Sequence, residues 1–345
     1  MSRPAAPEPM LAASLRSLVI AGMFLLAALC VACSASSDSE AEPGEVAESV
    51  AQEEPPAEEP SESVSAAELA EQQIDSEQNW ELVDGLCNAI GRKLGSVSVV
   101  DCISRKLIAT GRESVEGRPL LRRDYRPRSA RPTLGRVLVL GGIHGDEYSS
   151  VSIVFKWLRK LDLEHDGTFH WRFLPLVNPD GLLREQSQRM NSRGIDLNRN
   201  FPTADWEADS KDYWVRRTGR NPRRYPGESP LSEPESRFVH EQMEAFQPDL
   251  VVSIHAPLEV VDFDGAQQEP PEKLGSLELK RLGTYPGSLG RYGNERHDVA
   301  VLTLELASAG IMPSVQEQDQ IWRDLNDYLR RTLGSVAPEA GVSGG

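Results

Sequence analysis

The sequence predicts an α/β fold in which helices cover both faces of a mixed, largely parallel sheet. Four short segments have the apolar composition of buried strands: residues 136–143, 169–177, 249–254 and 299–306. Helical periodicity appears between and after them, at residues 149–161, 232–246 and 315–333. Strands that alternate with helices along a chain are typical of a sheet enclosed between two helical layers.

The individual segments carry their own start and stop signals. The first strand, Arg-Val-Leu-Val-Leu-Gly-Gly-Ile, closes with two glycines, which indicate a turn before the helix at 149–161. Ser232-Glu-Pro-Glu235 has the spacing of a capping box and predicts a helix that runs to about Phe246. The helix at 315–333 follows the last strand and completes the predicted domain.

The amino terminus has the features of an export signal. Arg3 and Arg16 precede an apolar run at 18–29, which is shorter than the roughly 20 residues that span a bilayer. The small residues before Cys33 resemble the lipobox of bacterial lipoproteins, with Cys30 where leucine is usual. We expect residues 1–33 to be a lipoprotein signal peptide, Cys33 to be lipidated, and the lipid to be the sole membrane contact. An uncleaved membrane anchor is the alternative, and both interpretations predict an exported, periplasmic domain.

The negative charge of the chain is concentrated in one segment. Residues 34–77 hold fourteen acidic side chains and no lysine or arginine, within a total net charge of −16. Such a segment buries too little apolar surface to offset its ordering entropy, so we expect a disordered acidic linker. The remainder is close to neutral and lacks the basic face that nucleic-acid binding requires. We expect one folded domain at 78–336 and a flexible tail at 337–345.

Cys87 and Cys102 are the two cysteines that follow the predicted signal. In an oxidising compartment a close cysteine pair forms a disulfide more often than a metal site. The segment between them contains no histidine that could complete a zinc site. We therefore expect a disulfide between Cys87 and Cys102.

Unusual polar residues fall at the ends of the apolar strands. His144 and Glu147 follow the first strand, His255 ends the run Leu-Val-Val-Ser-Ile-His, and Glu305 lies inside an otherwise apolar strand. Open α/β sheets place ligands at this edge. A histidine and a carboxylate three residues apart can bind one metal together with a distant histidine, and three ligands leave a fourth position open.

A second polar cluster follows the strand at 169–177. It contains Asn178-Pro-Asp-Gly181 and then Asp196-Leu-Asn198-Arg199-Asn200. The order of motifs resembles the zinc carboxypeptidase family: His-x-x-Glu, Asn-Pro-Asp-Gly, Asp-x-Asn-Arg-Asn, Ser-Ile-His and a glutamate on a late strand. The closest resemblance is to the compact murein peptide amidases, over residues 137–329. It implies a zinc carboxypeptidase-like fold and a zinc peptidase or amidase domain at 78–336.

The resemblance also implies a role for the residues at the metal. It makes His144, Glu147 and His255 the ligands of one zinc ion. Asp196 corresponds to the carboxylate that orients His144 by accepting its other ring N–H. Glu305 corresponds to the general base, which takes a proton from the attacking water and delivers it to the leaving amine.

Further positions match residues that contact substrate in the family. Arg189 corresponds to the cation that polarises the scissile carbonyl. Asn198 and Arg199 correspond to the pair that binds the substrate carboxylate, a task suited to the planar guanidinium. Tyr285 and Tyr292 both lie near the expected active-site tyrosine, and spacing does not decide between them. We name Tyr285 as the candidate.

The remaining cations and histidines lie outside this pattern. Five arginines fall between residues 216 and 224. This segment is either a solvated loop or a loop that overhangs the cleft and attracts an anionic peptide. We expect the other histidines to be structural or solvated: His165, His170, His240 and His297.

Together these features predict an exported zinc-dependent hydrolase that cuts an amide bond beside a substrate carboxylate. The resemblance points to murein stem peptides as the binding partner, cut between γ-D-glutamate and diaminopimelate. One alternative is an N-acyl amino acid deacylase similar to succinylglutamate desuccinylase and aspartoacylase; the Asn-Pro-Asp-Gly turn and Ser-Ile-His255 favour peptides instead. The other alternative is a non-catalytic murein-binding lipoprotein, which would have no need of Glu305.

Overall fold

The computed structural model describes residues 76–128 and 132–334. The predicted signal peptide with Cys33, most of the acidic linker and the predicted tail lie outside these residues. Within the described part of the chain, none of the helices combines the length and the apolar character needed to cross a bilayer.

The described part of the chain starts with two helices and a hairpin that lead into the sheet. These are α1 (Ser76–Lys93), α2 (Val99–Ile103), β1 (Ile108–Glu113) and β2 (Pro119–Tyr125). Cys87 of α1 and Cys102 of α2 form the expected disulfide, and both are fully buried. This bond ties the first two helices together.

The central part of the chain alternates strands and helices. The elements are β3 (Arg136–Leu140), α3 (Tyr148–Glu164), β4 (His170–Leu174), α4 (Pro179–Leu183), α5 (Trp206–Arg216), α6 (Pro234–Phe246) and β5 (Leu250–His255). The remaining elements are β6 (Val260–Asp264), β7 (Lys273–Leu274), β8 (Leu277–Leu279), α7 (Leu289–His297), β9 (Val301–Glu305) and α8 (Val315–Gly334).

One nine-stranded sheet organises the described residues, in the order β1-β2-β4-β3-β5-β9-β6-β8-β7. Its four central strands, β4, β3, β5 and β9, are parallel. On either side β2 and β6 pair antiparallel with this centre. The sheet is therefore mixed with a parallel centre, as the sequence predicts.

Helices pack on both faces of the sheet. Val137 and Val139 of β3 point into a core shared with α1, α3 and α8. Leu138 and Leu140 point into the opposite core, shared with α6 and α7. Because successive side chains of a strand face opposite sides, a strand covered on both faces appears in the sequence as a continuous apolar run.

The start of α6 differs from the sequence prediction. The helix begins at Pro234 after Glu233, and no side chain caps it, so Ser232 is not the N-cap. Proline is favoured at the first helical position because that residue needs no N–H and its φ is already helical. Glu235 accepts instead from the Val115 backbone N–H and from the Asn191 amide.

Candidate metal centre and active-site cleft

Four of the predicted site residues meet at one edge of the sheet. His144 and Glu147 lie in the loop between β3 and α3. His255 and Glu305 are the last residues of β5 and β9, and they are register partners in the ladder. The carboxyl ends of parallel strands share an edge, so the fold gathers residues that are up to 161 positions apart in the sequence.

His144, Glu147 and His255 place three donor atoms around a single point. His144 Nδ1 lies 2.8 Å from Glu147 Oε1 and 3.0 Å from His255 Nδ1. His255 Nδ1 lies 3.1 Å from Glu147 Oε2. All three side chains are buried, and together they form a group that could hold a metal ion.

This donor set fits zinc. Ligands of a tetrahedral zinc ion at 2.0–2.2 Å are separated by about 3.4 Å, close to the observed spacing. The two other ring nitrogens are already engaged: His144 Nε2 lies 3.2 Å from Asp196 Oδ1, and His255 Nε2 lies 3.0 Å from Ser253 Oγ. If each Nε2 carries the proton, both Nδ1 lone pairs face the centre, as metal binding requires.

The charges around the centre keep its carboxylates ionised. Burial on its own raises the pKa of Glu147, but the adjacent His144 and His255 outweigh burial and hold the pKa below its usual value. Burial also opposes ionisation of Asp196, and Arg189 and His144 outweigh it and lower the pKa well below the usual value. Both carboxylates are therefore anionic at neutral pH.

Arg189 lies directly beside the three donors. Its Nε donates to Asp196 Oδ2 at 3.0 Å, and its Nη1 lies 3.2 Å from His144 Nδ1. The same Nη1 lies 3.7 Å from Glu147 Oε1. Asp196 thus holds both the imidazole and the guanidinium, and it keeps one guanidinium nitrogen beside the three donor atoms.

Glu305 has an oxygen with no partner. Its Oε2 is buried and accepts no hydrogen bond from the described residues. Burial raises the pKa of Glu305, and the neighbouring Glu147 charge raises it further, while His255 lowers it. A carboxylate in this condition binds a proton more readily than an exposed glutamate does.

Asn198 and Arg199 form a second group in the same cleft. The Asn198 Oδ1 accepts from the Leu289 backbone N–H at 2.8 Å, which leaves the amide nitrogen directed away from α7. The Arg199 guanidinium stacks on the Tyr285 ring at 4.4 Å, and no carboxylate of the described residues lies within ion-pair distance of it. Burial lowers the pKa of Arg199 to about 10, and the charges of Arg189 and Arg224 contribute.

The two candidate tyrosines occupy different places. Tyr285 lines the cleft beside Arg199. Tyr292 is buried in the α7 side of the core, where its hydroxyl bonds to His240 and His297. Of the two, Tyr285 is the one that can reach a bound substrate.

The four histidines outside the pattern have structural contacts. His240 and His297 form with Glu244 a second His/Glu group, but both imidazoles already bond to Tyr292. His165 Nε2 lies 2.9 Å from the Arg126 carbonyl oxygen, and the His170 ring packs edge-on against Phe246.

The arginine-rich segment lies next to the cleft. Arg223 pairs with Asp146, in the loop that carries His144 and Glu147, at 2.8 Å. Arg224 lines the cleft itself, whereas Arg216 pairs with Asp212 of its own helix. Part of this segment therefore adds positive charge at the cleft, as the functional interpretation of the loop requires.

Several residues of the cleft are not apparent from the sequence. The cleft has a volume of about 250 Å³, and its wall includes Ser253, Thr303, Asp262 and Asp264. Ser253 could have been found, because it lies two residues before His255 and so faces the same side of β5. The sequence did not single out the two aspartates, because the alternation of apolar and acidic residues from Val261 to Asp264 is too brief to show that β6 pairs beside β9.

Comparisons with known proteins indicate the family of this chain. A sequence profile of the zinc carboxypeptidase (peptidase M14) family matches residues 105–284. The chain is 34% identical over 204 residues to murein peptide amidase A of Vibrio campbellii, covering 56% of this chain and 77% of that protein. It is 37% identical over 162 residues to murein peptide amidase A of Escherichia coli K12, covering 45% of this chain and 64% of that protein.

A solved structure supports the fold. Carboxypeptidase A from Helicoverpa armigera superimposes with a TM-score of 0.55 at 18% identity, covering 77% of this chain and 82% of that one. The family is zinc-dependent, and its members are hydrolases. The fold, the His/Glu/His group and the profile match agree, and the chain belongs to the zinc carboxypeptidase family.

Proposed function

We propose that this protein hydrolyses an amide bond of murein stem peptides, between γ-D-glutamate and diaminopimelate. The observation that carries the proposal is the convergence of His144, Glu147 and His255 with an unpartnered Glu305 oxygen in one cleft. The similarity to two murein peptide amidases supports the substrate class. The bond cut lies beside a carboxylate, which suits the unpaired Arg199 guanidinium.

His144, Glu147 and His255 would hold a single zinc ion. When bound there, zinc supplies Lewis-acid chemistry that activates water and polarises a carbonyl. Glu305 Oε2 accepts the proton of the attacking water and later gives it to the leaving amine nitrogen. Its raised pKa suits both transfers, because the protonated form must persist long enough to act as the acid.

The remaining groups position the substrate. Arg199 binds the substrate carboxylate, supported by the Asn198 amide and by the Tyr285 ring beneath it. Arg189 donates to the carbonyl oxygen of the bond that breaks, where negative charge develops. Asp196 keeps Arg189 and His144 in place.

We also propose that the protein acts outside the cytoplasm, with residues 1–33 as its export signal. The Cys87–Cys102 disulfide supports this location, because such bonds persist in oxidising compartments. Lipidation of Cys33 and the acidic linker would then hold the domain at a membrane surface. Mass spectrometry of the amino-terminal peptide from the mature protein tests the lipidation.

The proposed function is tested by mass spectrometry of purified muropeptides incubated with the zinc-loaded full-length protein. We expect a mass loss that corresponds to release of diaminopimelate or of peptides that begin with it, abolished by a chelator and restored by zinc. N-succinylglutamate and N-acetylaspartate serve as competing substrates. Turnover of these two compounds alone would mean that the protein is a deacylase. Binding of muropeptides without any turnover would mean that it is a binding protein.

Glu305→Gln is expected to remove the proton acceptor while the metal ligands remain. We expect kcat to fall by about 10²–10⁴ with zinc content unchanged. The control is Glu164→Gln, an exposed glutamate at the end of α3 and outside the cleft. Retention of more than a tenth of the wild-type kcat by Glu305→Gln would exclude Glu305 as the base.

A further inference from the structure

The two glutamates at the start of α6 contact a loop of the active site. The helix is not capped by a side chain, so capping does not explain why Glu233 and Glu235 are there. Both are buried, and neither lines the cleft. Glu233 Oε2 accepts a hydrogen bond from the Asn191 amide at 2.7 Å, and Glu235 Oε2 accepts another at 3.1 Å. Two carboxylates of α6 therefore meet at a single asparagine.

Asn191 is fully buried, and both ends of its side-chain amide are engaged. The amide nitrogen donates one hydrogen bond to each glutamate. The Oδ1 atom accepts the backbone N–H groups of Arg193 and Ile195, both at 3.1 Å. An asparagine offers two donors and an acceptor in one flat group, whereas an aspartate carboxylate offers no donor and a serine only one. The contacts around residue 191 thus require asparagine in particular.

The contacts of Asn191 close a tight turn. Its backbone N–H donates to the Ile195 carbonyl oxygen at 3.0 Å, and its own carbonyl oxygen accepts from Gly194 at 3.1 Å. Gly194 has a φ of 78°, a conformation that glycine adopts without steric strain. The chain therefore reverses direction between residues 191 and 195, and the segments on either side of the turn lie next to each other.

This turn brings Arg189 and Asp196 together. Arg189 Nε donates to Asp196 Oδ2 at 3.0 Å, although the two residues are seven positions apart. Asp196 is also held from outside the turn, because its backbone N–H donates to the Tyr225 carbonyl oxygen at 2.8 Å and its Oδ1 lies 3.2 Å from His144 Nε2. Arg189 enters from the other end of the turn. The position of its guanidinium beside the metal centre therefore depends on how the turn is closed.

The charges of the two glutamates strengthen the contact with Asn191. Burial raises the pKa of Glu235, and the Asp180 charge raises it further, while the hydrogen bonds from Asn191 and Val115 lower it. Arg193 Nη1 lies 3.6 Å from Glu233 Oε2 at the surface. A carboxylate accepts a stronger hydrogen bond than a neutral oxygen does. The turn is therefore fastened to α6, a helix of the protein core, by two charge-assisted hydrogen bonds.

We propose that Asn191 is a positioning residue for Arg189. Glu233 and Glu235 hold Asn191 against α6, and Asn191 fixes the turn that places the Arg189 guanidinium at the carbonyl oxygen of the bond that breaks. The inference rests on the proposed function, which gives Arg189 that role. Arg189 acts where negative charge develops during the reaction, and Arg199 binds the substrate carboxylate. Loss of Asn191 should therefore lower kcat and leave KM nearly constant.

A double-mutant cycle on the zinc-loaded full-length protein tests the inference. The kcat and KM of the wild type, Asn191→Ala, Arg189→Gln and the double variant are measured on L-Ala-γ-D-Glu-meso-diaminopimelate. We expect Asn191→Ala to lower kcat about tenfold or more in the wild-type background, because a displaced guanidinium no longer meets the carbonyl oxygen. In the Arg189→Gln background the same substitution should lower kcat less than about twofold, because the group that Asn191 positions is gone.

A second variant alters only the donating end of Asn191. Asn191→Asp keeps the size of the side chain and the Oδ1 atom, but its other oxygen faces Glu233 and Glu235 and cannot donate to them. We expect it to lose kcat as Asn191→Ala does. Combining it with Glu233→Gln and Glu235→Gln reverses the direction of both hydrogen bonds and should restore most of the lost kcat. A folded triple variant with the kcat of Asn191→Asp would overturn the inference.

Two controls accompany these variants. Asn326→Ala removes a half-buried asparagine of α8, whose amide donates to the Trp322 carbonyl oxygen at 2.8 Å, and should leave kcat and KM unchanged. The zinc content of each variant is measured after loading. It should stay at the wild-type value, so that loss of metal does not account for a lower kcat.

The outcomes separate this inference from the proposed function. An equal fractional loss of kcat in both backgrounds would mean that Asn191 supports the fold and does not act through Arg189, and the inference would be overturned. No loss in Asn191→Ala would overturn it as well. If the wild-type protein does not cut the peptide, the proposed function itself fails. The same cycle on an N-acyl amino acid that the protein does hydrolyse would then still test the link between Asn191 and Arg189.

Discussion

Four acidic residues in or beside the cleft differ in pKa because their neighbours differ. Glu147 and Asp196 are surrounded by imidazole and guanidinium groups, which hold the pKa of each below its usual value. Glu305 and Asp264 are half-buried with little compensating positive charge, and the pKa of each is raised. The first two are therefore suited to hold cations permanently, and the other two to gain a proton or a cation during function.

The Asp264 carboxylate in the cleft wall makes no hydrogen bond or ion pair with the described residues, which leads to a prediction about stability and pH. The folded protein binds the Asp264 proton with a pKa of about 7, whereas the unfolded chain binds it at about 3.9. Burial of the Asp264 charge therefore does not lower the free energy of unfolding below about pH 4. The destabilisation grows as the pH rises towards 7 and is constant above it. We expect Asp264→Asn to raise the free energy of unfolding by about 2 kcal/mol at pH 8 and to have little effect at pH 4.

Chemical denaturation at the two pH values measures this difference. The groups that face Asp264, namely Asp262 and Arg281, stay in place in the variant. Asp212→Asn, at an exposed site, should give no gain that depends on pH. A lower free energy of unfolding for Asp264→Asn at pH 8 would mean that the carboxylate makes stabilising contacts within the protein.

At the scale of elements, the site depends on close contact between two loops. A Cβ atom on Gly145 would lie 2.2 Å from the Gly181 carbonyl carbon, so the loop that carries the first ligands touches the Asn-Pro-Asp-Gly turn. Asn178 strengthens this contact, because its amide donates to the carbonyl oxygens of Ile143 and Arg189. The turn that looks merely structural in the sequence thus sets the position of His144.

Gly145→Ala is expected to force these two loops apart. We predict that the zinc dissociation constant rises at least about tenfold while the sheet remains folded, because a displaced His144 can no longer meet the other two ligands. Competition with a chromogenic chelator measures the change. Gly95→Ala is the matched control, since its Cβ would meet no atom within 4 Å. Unchanged zinc affinity in Gly145→Ala would show that the contact between these two loops does not control metal binding.

The disulfide between α1 and α2 should contribute stability and leave catalysis unaffected. It closes a loop of 15 residues, for which constraint of the unfolded chain gives about 3 kcal/mol. We expect the Cys87→Ser, Cys102→Ser double variant to lose about this amount in denaturation experiments and to keep its kcat, because neither residue lines the cleft. A reductant should reproduce the loss in the wild type only. A matching fall in kcat would show that these helices support the site.

At the scale of the whole molecule, the sequence predicts the parallel centre of the sheet and the polar residues at its carboxyl edge. The parallel strands β3, β5 and β9 are continuous apolar runs, and the polar residues at their ends had to meet at one edge. Strands β6, β7 and β8 are not continuous apolar runs, so the sequence did not indicate them. Asp262 and Asp264 of β6 were therefore not predicted as cleft residues. The choice between Tyr285 and Tyr292 required the structure, because it depends on how α7 packs.

The central claim is that His144, Glu147 and His255 bind one zinc ion beside Glu305. Anomalous diffraction at the zinc absorption edge, from crystals of the zinc-loaded protein, tests it directly. We predict one strong peak, about 2.0–2.2 Å from His144 Nδ1, His255 Nδ1 and a Glu147 oxygen. A peak at His240, Glu244 and His297 instead, or no peak at the β3, β5 and β9 edge of the sheet, would contradict the claim.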